Sequence, residues 1–211
     1  MELITLVGLK GSGKDTVGQY FEQQHGYTTI SFADSLKDCV AAIFGWDRTM
    51  MEGRTPKSRI WREENDTWWA ERLGLEFFSP RVAMTSFGTD IMRKHFDDNI
   101  WLHNTERKIQ EISGPVVITD TRFPNELEMI RNLGGKVFRV TRGRDPDWFE
   151  LAQQATGHDA ELRMCAAHEL HALGIHESEW LLVGAIADHT LNNDMTIADL
   201  WMQCEKLMPP N

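Results

Sequence analysis

Gly8-Leu9-Lys10-Gly11-Ser12-Gly13-Lys14-Asp15-Thr16 follows the apolar run Leu3 to Val7 and leads into a helix-like stretch, Lys14 to His25. This spacing predicts a phosphate-binding loop between a strand and a helix. Gly8, Gly11 and Gly13 let the backbone turn successive N–H groups inward, and the following helix adds the positive end of its dipole. Lys14 supplies a mobile point charge for the outer phosphates. The competing reading, an ordinary glycine-rich turn, does not require the strand before it or the helix after it.

One position departs from the usual loop. The Ser or Thr expected after the lysine, whose hydroxyl reaches Mg²⁺ in many such loops, is replaced by Asp15, with Thr16 next. A carboxylate about 4 Å from a phosphate oxygen would cost about 4 kcal/mol at an effective dielectric near 20. Asp15 therefore either turns away or shares a metal through water together with Thr16. A plain acidic residue in the first turn of a helix is the alternative.

The chain has 211 residues, enough for one domain with a sizeable core or a core with a mobile insertion. Its 32 acidic residues against 22 basic ones give a net charge of -10, which argues against nonspecific binding to a nucleic-acid polymer and for a small partner met in a local basic pocket. Cys39, Cys165 and Cys204 form no C-x-x-C pair, so buried thiols in a reducing compartment are expected. No apolar run approaches the roughly 18 residues that span a bilayer, and the first residues enter a strand without a basic signal region. The expected location is the cytoplasm, away from membranes.

Beyond the first helix, Tyr27 to Phe32 reads as a strand and Ser35 to Phe44 as a helix capped by Asp34 and stopped at Gly45. From Trp46 to Phe78 the periodicity weakens while arginines gather, so this segment reads as an irregular functional insertion. Ser79-Pro80 starts a helix running through Gly88-Thr89-Asp90 to about Phe96, with Gly88 allowing a close approach. A further helix covers Ile100 to Ile112. Val116 to Thr119 has the form of a central parallel strand, Asn125 to Leu133 of a helix and Lys136 to Thr141 of the next strand. Arg142 to Ala172 carries two helical patterns and no strand. Asp188 to Leu191 and the amphipathic Met195 to Leu207 close the chain. The expected architecture is α/β: a P-loop fold with a five-stranded parallel sheet and helices on both faces, plus helical insertions. We expect a single domain, 1–211, with a core of 1–45, 113–141 and 185–211, an insertion at 46–112 and a lid at 142–184.

Phosphoryl transfer asks mainly for positioning and charge neutralisation. Asp120-Thr121-Arg122 ends a strand at the edge where open α/β sheets place ligands, so Asp120 is expected to hold metal-bound water or orient the acceptor. A cap for the following helix is the alternative. His158, His168 and His171 show no metal-ligand spacing and read as solvated.

The blocks GLKGSGKDT, FGTDIMRKHFDDNIWL, VVITDTRFPNE, GGKVFRVTR and HESE through LNND resemble, in order and spacing, those of phage deoxynucleoside monophosphate kinases. The resemblance covers the chain from its start to about residue 200 and is weakest over Trp46 to Phe78. It implies an adenylate-kinase-like P-loop enzyme that uses ATP and Mg²⁺ to phosphorylate a deoxynucleoside 5′-monophosphate, in the host-cell cytoplasm if the source is a phage. Gly8, Lys10, Gly11, Ser12, Gly13, Lys14, Asp15 and Thr16 would bind ATP, with Asn192 and Asn193 beside its adenine. Lys10, Arg62, Gly88, Thr89, Asp90, Trp101, Asp120, Arg122 and Glu126 would hold the acceptor. Arg142 and Arg144, after the fourth strand, would join Lys14, Asp15 and Asp120 in catalysis. Arg59 is the neighbour of Arg62 that could take its role, Trp101 reads equally as a core aromatic, and His176 matches a family position without an assigned role. The K-x-S-G-K-D loop is also similar to that of animal phosphomevalonate kinases. A nucleotide-binding module without catalysis is the reading from another class, and a homodimer is left open.

Overall fold

The computed structural model describes residues 2–208, so residue 1 and residues 209–211 of the expected core lie outside the described residues. Within these, the chain forms two compact units, residues 2–31 with 109–208 and residues 32–108.

The first unit is built on five parallel strands, β1 (Leu3–Val7), β2 (Thr28–Ile30), β3 (Val116–Ile118), β4 (Lys136–Thr141) and β5 (His189–Asn192), in the order β2-β3-β1-β4-β5. All five residues of β1 are buried, as expected of a central strand covered on both faces. Alternation sorts its side chains. Ile4 and Leu6 pack with Val117, Phe138 and Val140 against Val17 and Phe21 of α1 (Lys14–His25), and the carboxy-terminal helix Ile197–Glu205 adds Leu200 and Cys204. On the other face, a Cβ placed on Gly135 would meet Leu3 and Ile130, which puts the helix Pro124–Asn132 there. Cys39 and Cys165 are exposed, against expectation, and only Cys204 is buried.

The second unit contains α2 (Asp34–Phe44), α3 (Arg48–Met51), α4 (Pro56–Trp61), α5 (Thr67–Leu73), α6 (Pro80–Thr85), a π-helix over Ser86–Phe96 and most of α7 (Ile100–Glu111). The expected irregular stretch is thus three short helices. Helices of one or two turns are unstable alone, and each of these starts at a capping side chain: Asp47, Thr55 and Asp66, followed by Ser79 for α6. Their common core holds Val40, Phe44, Met51, Phe78 and Met84, with Trp46, Trp61 and Trp69 packed around it. The buried face of α2 belongs to this cluster, which is why α2 groups with the second unit instead of the sheet. Asp34 is not a cap. It is the first residue of α2 and pairs with Lys37 and Arg48. The helix expected to continue to Phe96 widens at Ser86, where Gly88 meets Leu36 so closely that a Cβ would lie 2.7 Å from its Cδ2.

The first unit is completed by α8 (Pro124–Asn132), α9 (Phe149–Ala155), α10 (Ala160–Ala172), α11 (Glu177–Trp180) and α12 (Ile197–Glu205). Residues 142–184 have an apolar cluster of their own, Ala152, Ala155, Ala166, Leu170, Trp180 and Val183. No helix among the described residues is long and apolar enough to cross a membrane.

Candidate active site

The loop leaving β1 turns at Gly8, Gly11 and Gly13, all with positive φ. At two of them space as well as conformation demands glycine: a Cβ on Gly8 would lie 2.2 Å from the Val140 carbonyl oxygen, and one on Gly13 2.3 Å from Nδ2 of Asn193. Lys14 Nζ donates to the carbonyls of Gly8 (2.7 Å) and Leu9 (2.9 Å), which holds the ammonium over the loop. Burial, and after it the Arg122 guanidinium, pull the Lys14 pKa down to about 8, against the opposing pull of Asp15, Glu179 and Asp120. A cation so little stabilised by its surroundings gains most from an anionic ligand.

Because β1 and β3 are paired neighbours, the segment after β3 emerges beside the loop. Thr5 and Thr121 share a hydroxyl hydrogen bond, and the Ser31 hydroxyl donates to Asp120. Glu126 is buried; its Oε2 accepts the backbone N–H groups of Arg122 (2.8 Å) and Phe123 (3.1 Å). Glu126 therefore fixes the turn that presents Asp120 and Arg122. Phe123 occupies the N-cap position of α8, three residues beyond Asp120.

A cleft opens on Lys10, Lys14, Thr121 and Arg122, with Arg139, Ser178, Glu179, Leu182 and Val183 along its other side. Arg122 Nη1 lies 3.1 Å from Glu179 Oε1. Arg139 is half-buried and donates from Nη2 to the carbonyls of Leu182 (3.0 Å) and Ala185 (2.7 Å); burial lowers its pKa. Sequence reasoning missed Arg139, although an arginine inside the strand Val137-Phe138-Arg139-Val140 was the available signal. Glu179, in His176-Glu177-Ser178-Glu179, carries no local signal of its place in the cleft. His176 itself caps α11, its Nδ1 accepting from the Ser178 N–H at 3.2 Å.

Other expected residues stand around the loop in different settings. Arg142 and Arg144 are exposed in the turn after β4 and do not line the cleft; Arg142 instead lies near Asp194, whose carboxyl is held low chiefly by the Gly143 N–H. Asn193 is buried and its Nδ2 donates to the Ser12 carbonyl (2.8 Å), so its side chain braces the phosphate loop. Asn192 Nδ2 donates to Asp194 Oδ2 at 2.8 Å. Lys10 and Asp15 are exposed, and Thr16 is half-buried in the first turn of α1.

In the second unit, Arg62 is half-buried against Gly53, where a Cβ would come within 2.2 Å of the guanidinium carbon. Its Nη1 reaches the Met51 carbonyl at 3.4 Å and its buried Nε has no hydrogen-bond partner. Burial first, then Arg81, lower its pKa. Arg59, by contrast, is exposed and donates from Nε to the Gly53 carbonyl (3.0 Å). Trp101 is buried and its indole N–H donates to the Gly88 carbonyl at 3.1 Å. Thr89 and Asp90 are exposed on the π-helix, Asp90 paired with Lys94 at 2.7 Å.

The strand order, the glycine loop after the central strand and the cations gathered over it define a P-loop fold with a cleft suited to phosphates. Solved structures that align with nearly all of the chain at low similarity include shikimate kinase from Aquifex aeolicus (13% identity, 97% of this chain and 94% of that one, TM-score 0.45). Another is dephospho-CoA kinase from Campylobacter jejuni (16% identity, 98% and 96%, TM-score 0.45). The sequence matches are narrower in class. Residues 71–150 match the family model of deoxynucleotide monophosphate kinase. An Acanthamoeba polyphaga mimivirus protein bearing that enzyme's name is 30% identical over 154 residues, 67% of this chain and 75% of its own length. The deoxynucleoside-5′-monophosphate kinase of Escherichia phage T5 is 43% identical over 56 residues, 26% of this chain and 22% of that protein. The chain belongs to the deoxynucleotide monophosphate kinase family.

Proposed function

We propose that this enzyme transfers the terminal phosphoryl group of ATP to a deoxynucleoside 5′-monophosphate, giving the diphosphate and ADP. The observation that carries the reading is the cleft in which Lys14, Arg122 and Arg139 converge on a glycine loop at the end of the central strand. Lys14 and the inward backbone N–H groups bind the polyphosphate, while Arg122 and Arg139 neutralise charge on the group in transit. Arg62, half-buried and short of partners, is the candidate for the acceptor's phosphate.

Asp15, Thr16 and Asp120 offer the hard oxygen donors that suit Mg²⁺, and both carboxylates lie close enough to act on Lys14. With only one or two protein carboxylates at hand, the ion would be held through water and substrate phosphates. When bound, it adds charge neutralisation across the phosphates. Asp120, oriented by Ser31, would direct its water or the acceptor.

In this reading residues 142–184 cover ATP, residues 46–112 bind the acceptor, and the partners are small nucleotides in the cytoplasm, with no polymer or membrane involved. A panel of deoxynucleoside and ribonucleoside monophosphates with ATP and Mg²⁺, scored by ADP release, tests it. Turnover that depends on the base is expected. ADP release with phosphomevalonate instead would move the enzyme to another small-metabolite class, and binding without turnover would leave a nucleotide-binding module.

A further inference from the structure

Glu179 is a carboxylate in a cleft otherwise furnished for anions. Among the described residues lining that cleft it is the one acidic side chain, beside Lys10, Lys14, Arg122 and Arg139. It is not needed to cap α11, which His176 does, and the helix is anchored next door by the buried Trp180. Its side chain, about one quarter exposed at 27%, is turned to Arg122, with 3.1 Å between Oε1 and Nη1. It is close enough to Lys14 to act on its charge. A negative group there opposes the entry of any phosphate, so its presence calls for a function other than binding strength.

We infer that Glu179 is a resident competitor for Arg122: it occupies the guanidinium until a polyphosphate takes its place, and the exchange releases α11 from Arg122. The carboxylate and an incoming phosphate present the same chemistry to the arginine, anionic oxygens in a plane or a tetrahedron within reach of its N–H fork. Arg139 is not part of the exchange, because its Nη2 holds backbone carbonyls that do not compete as anions. Nucleotide arrival is thereby coupled to the segment that follows α11. The inference rests on the phosphate-loop reading above.

The experiment is calorimetric titration of the full-length protein with the non-hydrolysable β,γ-methylene analogue of ATP and Mg²⁺. Glu179→Gln, which keeps shape and removes charge, should bind about tenfold more tightly than the parent protein, and Glu179→Ala should gain similarly. In an Arg122→Ala background the gain from Glu179→Gln should shrink to about threefold or less, since only direct repulsion remains. Unchanged or weaker binding by both Glu179 variants overturns the inference. So does an undiminished gain without Arg122, which would make Glu179 a mere repulsive charge. If the parent protein and the variants all fail to bind, the phosphate-loop reading fails with it; binding by the parent without a gain sinks the competitor alone.

Discussion

Residues 2–31 with 109–208 are held by a parallel sheet whose central strand is wholly buried, whereas residues 32–108 have no strand and rest on short capped helices around aromatic rings. The candidate groups differ accordingly. Lys14 opens α1 directly after the loop that follows β1, Asp120 and Arg122 stand in the turn after its neighbour β3, and the two segments are braced by Asn193 on the Ser12 carbonyl and Glu126 on the Arg122 N–H. Arg62, Gly88 and Trp101 stand on or at the end of short helices, and all three are also part of the packing. The lesson is that rate and stability should separate in the first unit and mix in the second.

The sharpest test is Lys14→Ala. Removing the ammonium should lower turnover by about 10³-fold or more, because the lost charge acts on the transferring group, while the melting temperature stays put. A variant keeping a tenth of the parent rate would break the assignment. The parent protein adds a pH test. Burial lowers the Lys14 pKa from 10.5 to about 8, so nucleotide affinity should fall as pH rises through about 8 and the cation is lost. The stability contribution has the opposite sense: a base that holds its proton less tightly folded than unfolded costs stability below pH 8, and the cost is relieved between about 8 and 10.5. A Kd for ATP that is flat from pH 7 to 9 would contradict this environment.

Asp120→Asn is next in size. The amide keeps an oxygen to accept from Ser31 and can cap as well as the carboxylate does, so stability should be retained while turnover drops on the order of 10²-fold with altered Mg²⁺ dependence. Full activity at unchanged Mg²⁺ dependence would remove Asp120 from the chemistry.

How far these sites could be read from the residues follows the same division. The loop and the five strands were legible because glycine spacing, a run of apolar residues and the parallel-sheet rules are local or nearly local signals. The groups opposite the loop were not. Arg139 lies in a strand and Glu179 in a one-turn helix, and only folding brings them to the cleft. Arg142 and Arg144 follow β4 where the chain turns at Gly143, and both are exposed. The helices between Trp46 and Phe78 escaped because they are too short to show a period and owe their existence to caps and tryptophans such as Trp46, whose indole N–H reaches Asp66 at 2.7 Å.

For the second unit, Arg62→Ala should raise the acceptor KM about tenfold or more with a smaller effect on the KM for ATP, roughly 1.4 kcal/mol of lost binding. Some loss of melting temperature should accompany it, since the guanidinium packs on Gly53 and caps the Met51 carbonyl. Arg59→Ala should leave the acceptor KM alone. Equal changes for both substrates would place the acceptor phosphate elsewhere.

Trp101→Phe is the smallest expected effect and the closest comparison of packing with recognition. The indole is 7% exposed and its N–H is spent on the Gly88 carbonyl, so phenylalanine removes one buried hydrogen bond and a little volume. Gly88 lies in a π-helix, where its carbonyl also takes a backbone N–H, so the loss is that of one hydrogen bond, about 0.5–1.5 kcal/mol. The variant should therefore melt earlier, while base preference and acceptor KM change little, because a ring already engaged by its own backbone has no donor left for a nucleobase. A stable variant with a shifted base preference would reverse this: Trp101 would then contact the base, and the second unit would separate rate from stability as the first does.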